Sequence, residues 1–145
     1  MKQMIQFSII RLPVVLVLVI AAHCTSLYAN PNAITALPDG YEMDDTAKDA
    51  TFFNLNAISS QLHNFHKKDD TDWVSFYALK SLEAVEIKTY DPGDGCDTVI
   101  TLYDTDGTTL LRESRHALSN GVHLMSWRPE SDGLFYVKIT NRHHC

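Results

Sequence analysis

The segment Ala84-Val85-Glu86-Ile87-Lys88-Thr89 alternates apolar and polar residues without a break. A period of two is the signature of an extended strand with one buried face, here Val85 and Ile87 inward and Glu86 and Lys88 outward. The same period recurs along the chain. Trp73 to Leu79 is rich in aromatic and β-branched residues, with Val74, Phe76 and Ala78 set against Trp73, Ser75 and Tyr77. Gln61 to His66, Thr98 to Tyr103, Thr108 to Arg112, Val122 to Trp127 and Leu134 to Thr140 read as further strands, while Thr51 to Ile58 stays ambiguous. Turn residues separate them: Asp91-Pro92-Gly93-Asp94-Gly95, Asp104-Thr105-Asp106-Gly107, and Pro129 followed by Ser131-Asp132-Gly133. About seven short strands spaced by turns at roughly 8 to 12 residues, with no helical stripe, predict an all-β antiparallel sandwich or barrel. Trp73, Phe76, Val85, Ile87, Val99, Leu102, Trp127, Phe135, Val137 and Ile139 form the expected core.

The N-terminus obeys a different rule. Lys2 and Arg11 precede the apolar run Leu12 to Ala22, which has the length of a signal-peptide h-region and is too short for a membrane span of roughly 20 residues. Leu27-Tyr28-Ala29 is the expected cleavage signal, so that residues 1–29 form a signal peptide, 30–40 a flexible lead-in with two prolines, and 41–145 the folded domain. Cys24 offers a lipoprotein alternative, which His23 in front of it disfavours. Cleavage removes two basic residues and no acid, so 116 residues remain and the net charge moves from −6 to −8. An acidic chain lacks the basic stripe that a nucleic-acid binder needs. With 45% hydrophobic residues the chain is also neither disordered nor collagen-like. Of three cysteines, Cys96 and Cys145 stay in the exported chain, and in a secreted or periplasmic protein that pair is expected to form a disulfide, two free thiols being the alternative.

Four segments together carry a family resemblance. Tyr41-Glu42-Met43-Asp44-Asp45-Thr46, Asp70-Thr71-Asp72-Trp73-Val74-Ser75-Phe76, Cys96 through Gly107, and Gly133-Leu134-Phe135-Tyr136-Val137-Lys138-Ile139-Thr140-Asn141 occur in the order and spacing of the bacterial pre-peptidase C-terminal domain. The chain resembles that family over residues 41 to 141. The resemblance implies a small jelly-roll-like β-sandwich of the kind appended to secreted proteases and other exported enzymes, related to the collagen-binding modules of clostridial collagenases. It further implies a last strand beyond Asn141, where this sequence has only Arg142-His143-His144-Cys145, so one sheet is expected to be a strand short.

Carboxylates gather in two places: Glu42, Asp44 and Asp45 before the sandwich, and Asp69, Asp70 and Asp72 before the Trp73 strand. Such acids are either solvated turns or ligands of a hard cation, and Ca²⁺ takes six to eight oxygens, which two loops can supply. The resemblance implies a calcium site, and carried over by position its ligands are Glu42, Asp44, Asp45, Asp69 and Asp72, with Met43 where the family often has proline. Asp104-Thr105-Asp106-Gly107 fits a hairpin turn better than a calcium loop, since an EF-hand has Gly at its sixth position and Glu at its twelfth. Asp91, Asp94 and Asp97 around Cys96 read as an ordinary turn ahead of a second cation site.

His63 and His66 lie three apart, which on a strand sends them to opposite faces and argues against a shared zinc ion. His143 and His144 beside Cys145 are a candidate metal trap only where Cys145 is reduced. The serines show no nucleophile-elbow pattern, and the paired acids fall on edge loops rather than in a cleft. The expected function is therefore an exported, non-catalytic, calcium-stabilised module that binds an extracellular protein or polysaccharide partner or assists a secreted protease. The alternatives are a truncated remnant of a secreted peptidase and, ranked lower, a small secreted hydrolase. Nothing in the sequence fixes the oligomeric state.

Overall fold

The computed structural model describes residues 9–10, 15–24, 38–56, 60–66, 69–90, 98–114 and 123–141. Ten strands and one short 3-10 turn follow one another. They are β1 (Ile9–Ile10), β2 (Val15–Cys24), the turn Ala47–Asp49, β3 (Thr51–Phe53), β4 (Gln61–Phe65), β5 (Thr71–Ala78), β6 (Ala84–Tyr90), β7 (Thr98–Tyr103), β8 (Leu110–Ser114), β9 (Leu124–Trp127) and β10 (Gly133–Asn141). They form two five-stranded sheets, an all-β sandwich and not a closed barrel. One sheet runs β3-β5-β10-β7-β8. The other runs β1-β2-β6-β9, with β4 also paired to β2.

The strands lie where period-two alternation predicts them, and the buried faces follow from it. Val74, Phe76 and Ala78 of β5, Phe135, Val137 and Ile139 of β10, and Ile100 and Leu102 of β7 meet Val85 and Ile87 of β6, Met125 of β9 and Phe65 of β4. Burying each large apolar side chain contributes roughly 1.5–3 kcal/mol, which is why one continuous core can organise two sheets. Trp73 and Val99 are not in this core. The pleat puts Trp73 on the face opposite Phe76, where its ring stacks on Tyr103 with centroids 5.0 Å apart and Lys138 Nζ 5.7 Å from each ring. Trp127 packs against the core from its margin, edge-on to Phe135 at 4.7 Å.

Most pairings are antiparallel, but β2–β4, β2–β6 and β3–β5 are parallel, a departure from the all-antiparallel expectation. Two of the three involve β2, which arises from the run read as an h-region. Its β-branched and leucine-rich sequence has the strand propensity that an apolar helix of that length also needs, and pairing in the sheet decides between them.

The β7–β8 hairpin turns at Asp104–Gly107, where Gly107 N donates to Asp104 O at 2.9 Å and Gly107 takes φ of 67°. Asp106 accepts from Thr108 N, Thr109 N and Thr109 Oγ1 at 2.6 to 2.8 Å, which holds its carboxyl well below the usual carboxylate range. The segment is thus a hairpin turn rather than a calcium loop. Cys96, Cys145, His143, His144, Asp91, Asp94, Asp97 and the Ala29 cleavage site lie outside the described residues. Among the described residues no helix is long and apolar enough to cross a membrane.

Candidate metal centre

The acidic segment 39–45 is fastened along β4 and the start of β5 by a run of backbone bonds. Asp39 Oδ1 accepts from Tyr41 N at 2.7 Å, Asp39 Oδ2 from Asn64 N at 2.5 Å, and Glu42 Oε1 from Asp39 N at 2.6 Å. Trp73 N then donates to Asp44 O at 3.0 Å, and Thr71 Oγ1 to Asp45 O at 3.2 Å. The Tyr41 ring stacks on the His63 imidazole with centroids 4.6 Å apart. This seam brings the two acidic stretches of the sequence into one place.

At its centre is His63, on the buried face of β4 and fully shielded from solvent. Gln61 Nε2 donates to Phe52 O at 3.3 Å, which turns the amide oxygen of Gln61 toward His63 Nε2, 3.3 Å away. A ring bonded there through Nε2–H presents the lone pair of Nδ1 on its other side. That side holds two carboxylates: Asp44 Oδ2 and Asp72 Oδ1 each lie 3.6 Å from Nδ1, beyond hydrogen-bond distance. Asp44 Oδ2, Asp72 Oδ2 and His63 Nδ1 are all buried without a hydrogen-bond partner. Asp39, His63 and Asp72 each direct one donor atom to within 4.8 Å of the others.

The electrostatics reflect this crowding. Burial pushes Asp44 up to about 7, with the neighbouring Asp72 adding to the rise and His63 opposing it. Burial likewise pushes Asp72 up to about 6 against the pull of His63. Burial works against a charged His63, but Asp72, Asp44 and Asp39 together outweigh it and raise the ring above its ordinary value. One imidazolium cannot neutralise several buried carboxylates, so the cluster is short of positive charge.

A second group sits at the far end of β4. Glu42 Oε2 and Asp70 Oδ2 both lie 2.7 Å from His66 Nδ1, although neither makes a hydrogen bond to it. Asp70 Oδ2 also accepts from His66 N at 2.8 Å. Burial raises the Glu42 carboxyl, and the bond from Asp39 N and the charge of His66 pull it back. His63 and His66 therefore belong to separate clusters, as strand geometry requires.

The five carboxylates expected to share one ion divide. Asp44 and Asp72 converge on His63, and Glu42 joins His66 and Asp70 instead. Asp45 and Asp69 are exposed, and Asp69 serves the turn before β5 with a φ of 63°. Asp39, His63, His66 and Asp70 complete the two groups. His63 was marked by period-two burial, but nothing in sequence shows which side chains face it. Asp39 precedes Gly40 and looks like any turn acid.

Both clusters mix imidazole with carboxylate. Ca²⁺ prefers an all-oxygen shell, whereas Zn²⁺ and other first-row divalent ions accept imidazole nitrogen with carboxylate oxygen. On the opposite sheet, Asp104, Leu111, Arg112, Trp127, Arg128 and Glu130 line an open cleft of about 410 Å³. Compared with family models, curated proteins and solved structures, the chain matches none.

Proposed function

We propose that this chain is an exported, non-catalytic β-sandwich module in which a divalent cation clamps segment 39–45 onto β4 and β5, leaving the sandwich to engage an extracellular protein or polysaccharide. The observation that carries the cation is the buried meeting of His63 Nδ1 with the Asp44 and Asp72 carboxylates, three groups that lack hydrogen-bond partners and face one another. A lone pair opposed to two carboxylates is repulsive unless a proton or a metal lies between them. Buried polar groups left in that state cost about 1–3 kcal/mol each, which a ligated ion recovers. Asp39, Asp44, Asp72 and His63 would hold it, and Gln61 orients the imidazole from behind. The ligand set favours Zn²⁺ or a similar ion over the calcium that carboxylates alone suggest, and the likeness to pre-peptidase C-terminal domains accords with an exported module.

A non-catalytic role is supported by the outer nitrogen of His63. It meets Gln61 Oε1 and not a hydroxyl or thiol, so the His–Asp contact does not form a nucleophile-activating pair.

Thermal melts of the full chain in EDTA, Ca²⁺ and Zn²⁺ test the proposal. Zn²⁺ at a hundredfold excess over its Kd is expected to raise Tm by about 10 °C over EDTA. A rise with Ca²⁺ alone would assign the site to calcium instead, and identical melts in all three conditions would reject the clamp.

A further inference from the structure

Strand β2 occupies the middle of its sheet. Its residues Val15–Ala21 pair with Ala84–Tyr90 of β6, and Ile20–Cys24 pair with Gln61–Phe65 of β4, both in parallel. Ile20 and Ala21 pair with both neighbours at once, so β4 and β6 lie on opposite edges of β2. Strands in a sheet are about 4.8 Å apart, so without β2 its two neighbours stand roughly 10 Å from each other with a one-strand slot between them. Among the described residues β6 keeps β9 on its other edge, whereas β4 has β2 as its sole sheet partner.

We infer that, once residues 1–29 are removed, the slot between β4 and β6 is a strand acceptor that takes an extended, uncharged apolar segment of a partner protein, laid parallel to both edges. The inference rests on the export reading above. The slot cannot stay empty at low cost: it bares the hydrogen-bonding edges of β4 and β6 and uncovers the flanks of Val85, Ile87 and Phe65, which are buried in the full chain. An added strand restores both edges through main-chain bonds, and alternate side chains give specificity.

The register states what the strand must be. Positions 16, 18 and 20 are in register with the buried Val85, Ile87 and Thr89, and positions 20, 22 and 24 with the buried Gln61, His63 and Phe65. The sequence at those positions is Leu16, Leu18, Ile20, Ala22 and Cys24, three large apolar residues followed by two small ones. The occupant is thus a segment of about ten residues with that large-large-large-small-small pattern at alternate positions. It carries no proline at the positions that bond both edges. Because β4 carries His63, filling the slot also fixes one side of the metal centre.

The test uses the full chain with a specific protease site placed after Ala29. Intact mass of the product exported by a bacterial host shows whether residues 1–29 are removed. Purified full chain is then cut at the inserted site and challenged with a fluorescent peptide of the 15–24 sequence carrying Cys24→Ser. The expected result is saturable exchange of the peptide into the cut chain, at least about tenfold weaker for the Leu18→Pro peptide, because proline removes a ladder donor. Loss of the sandwich's circular dichroism after the N-terminal fragment is washed out, restored by the peptide, supports the inference equally. A cut chain that keeps its fold and melting temperature and binds neither peptide overturns it, as does equal binding of both peptides. A concentration-dependent dimer that excess peptide does not dissolve overturns the partner in favour of a second copy. An exported product that still carries residues 1–29 overturns the export reading and with it the need for a partner. A processed product that takes no strand overturns the acceptor slot alone.

Discussion

His63 Nδ1 stands 3.6 Å from Asp72 Oδ1, on side chains that are 0% and 7% exposed. The gap is too long for a hydrogen bond, and burial keeps the interaction from being screened by salt. Asp44 Oδ2 approaches the same nitrogen from its own segment at the same distance, so the imidazole is shared between two carboxylates rather than committed to one. That arrangement makes the centre sensitive to protons and to cations alike.

The metal-free protein should lose stability as pH rises. Asp44 and Asp72 have ordinary values of 3.8 and stand at about 7 and about 6 in the fold. Between about 4 and about 7 the folded chain therefore holds more protons than the unfolded one, and stability falls with pH. His63 is raised above 6.5, so its contribution is complete below that pH and is lost as pH rises through its folded value, in the same direction. Melts in EDTA at pH 5, 6, 7 and 8 should show a declining Tm. Saturating Zn²⁺ should flatten or reverse the decline, because the metal takes the places of those protons.

Asp72→Asn should abolish the Zn²⁺-dependent rise in Tm while leaving the metal-free fold intact at pH 5, where the native carboxyl is largely protonated and the amide resembles it. At pH 8 in EDTA the variant should melt above the parent, since one buried negative charge is gone. Paired melts of the two proteins at the two pH values read both effects, and a variant that still responds to Zn²⁺ would remove Asp72 from the ligand set.

Asp106→Ala provides the contrasting case. Its carboxylate is committed to Thr108 and Thr109 in the β7–β8 turn, so its loss should lower Tm modestly and leave the response to cations unchanged. Altered calcium or zinc response in this variant would return the turn to consideration as a cation loop.

Gly133→Ala should destabilise the sandwich by about 1–3 kcal/mol, a typical overpacking cost, because the new Cβ lies 2.5 Å from Thr105 Cγ2. Thr105→Ser removes that methyl, so the double variant should recover most of the loss. Urea denaturation of the parent, both single variants and the double variant measures the coupling.

Local order was legible wherever a period of two decided it. Val85 and Ile87 against Glu86 and Lys88 announce β6, and Asp104 through Gly107 announces the hairpin after β7. Trp73 shows the limit of reasoning by residue type: its size suggested core, while its parity with Ser75 and Tyr77 put it on the outer face with Tyr103. The meeting of the 42–45 acids with those before β5 was anticipated, because both groups flank strands that the sequence itself marks.

The sequence by itself determined the strands, their turns, the acidic bias and the two stretches that carry it, since each depends on neighbours a few residues apart. The tertiary structure alone decided that Asp44 and Asp72 face His63, that Glu42 turns to His66 instead, and that β2 bridges β4 and β6. Those relations join residues far apart in the chain, such as Asp39 with Asn64 and Asp44 with Trp73. Contacts of that range are set by how two sheets share one core, and alternation along a single strand carries no record of what lies across from it.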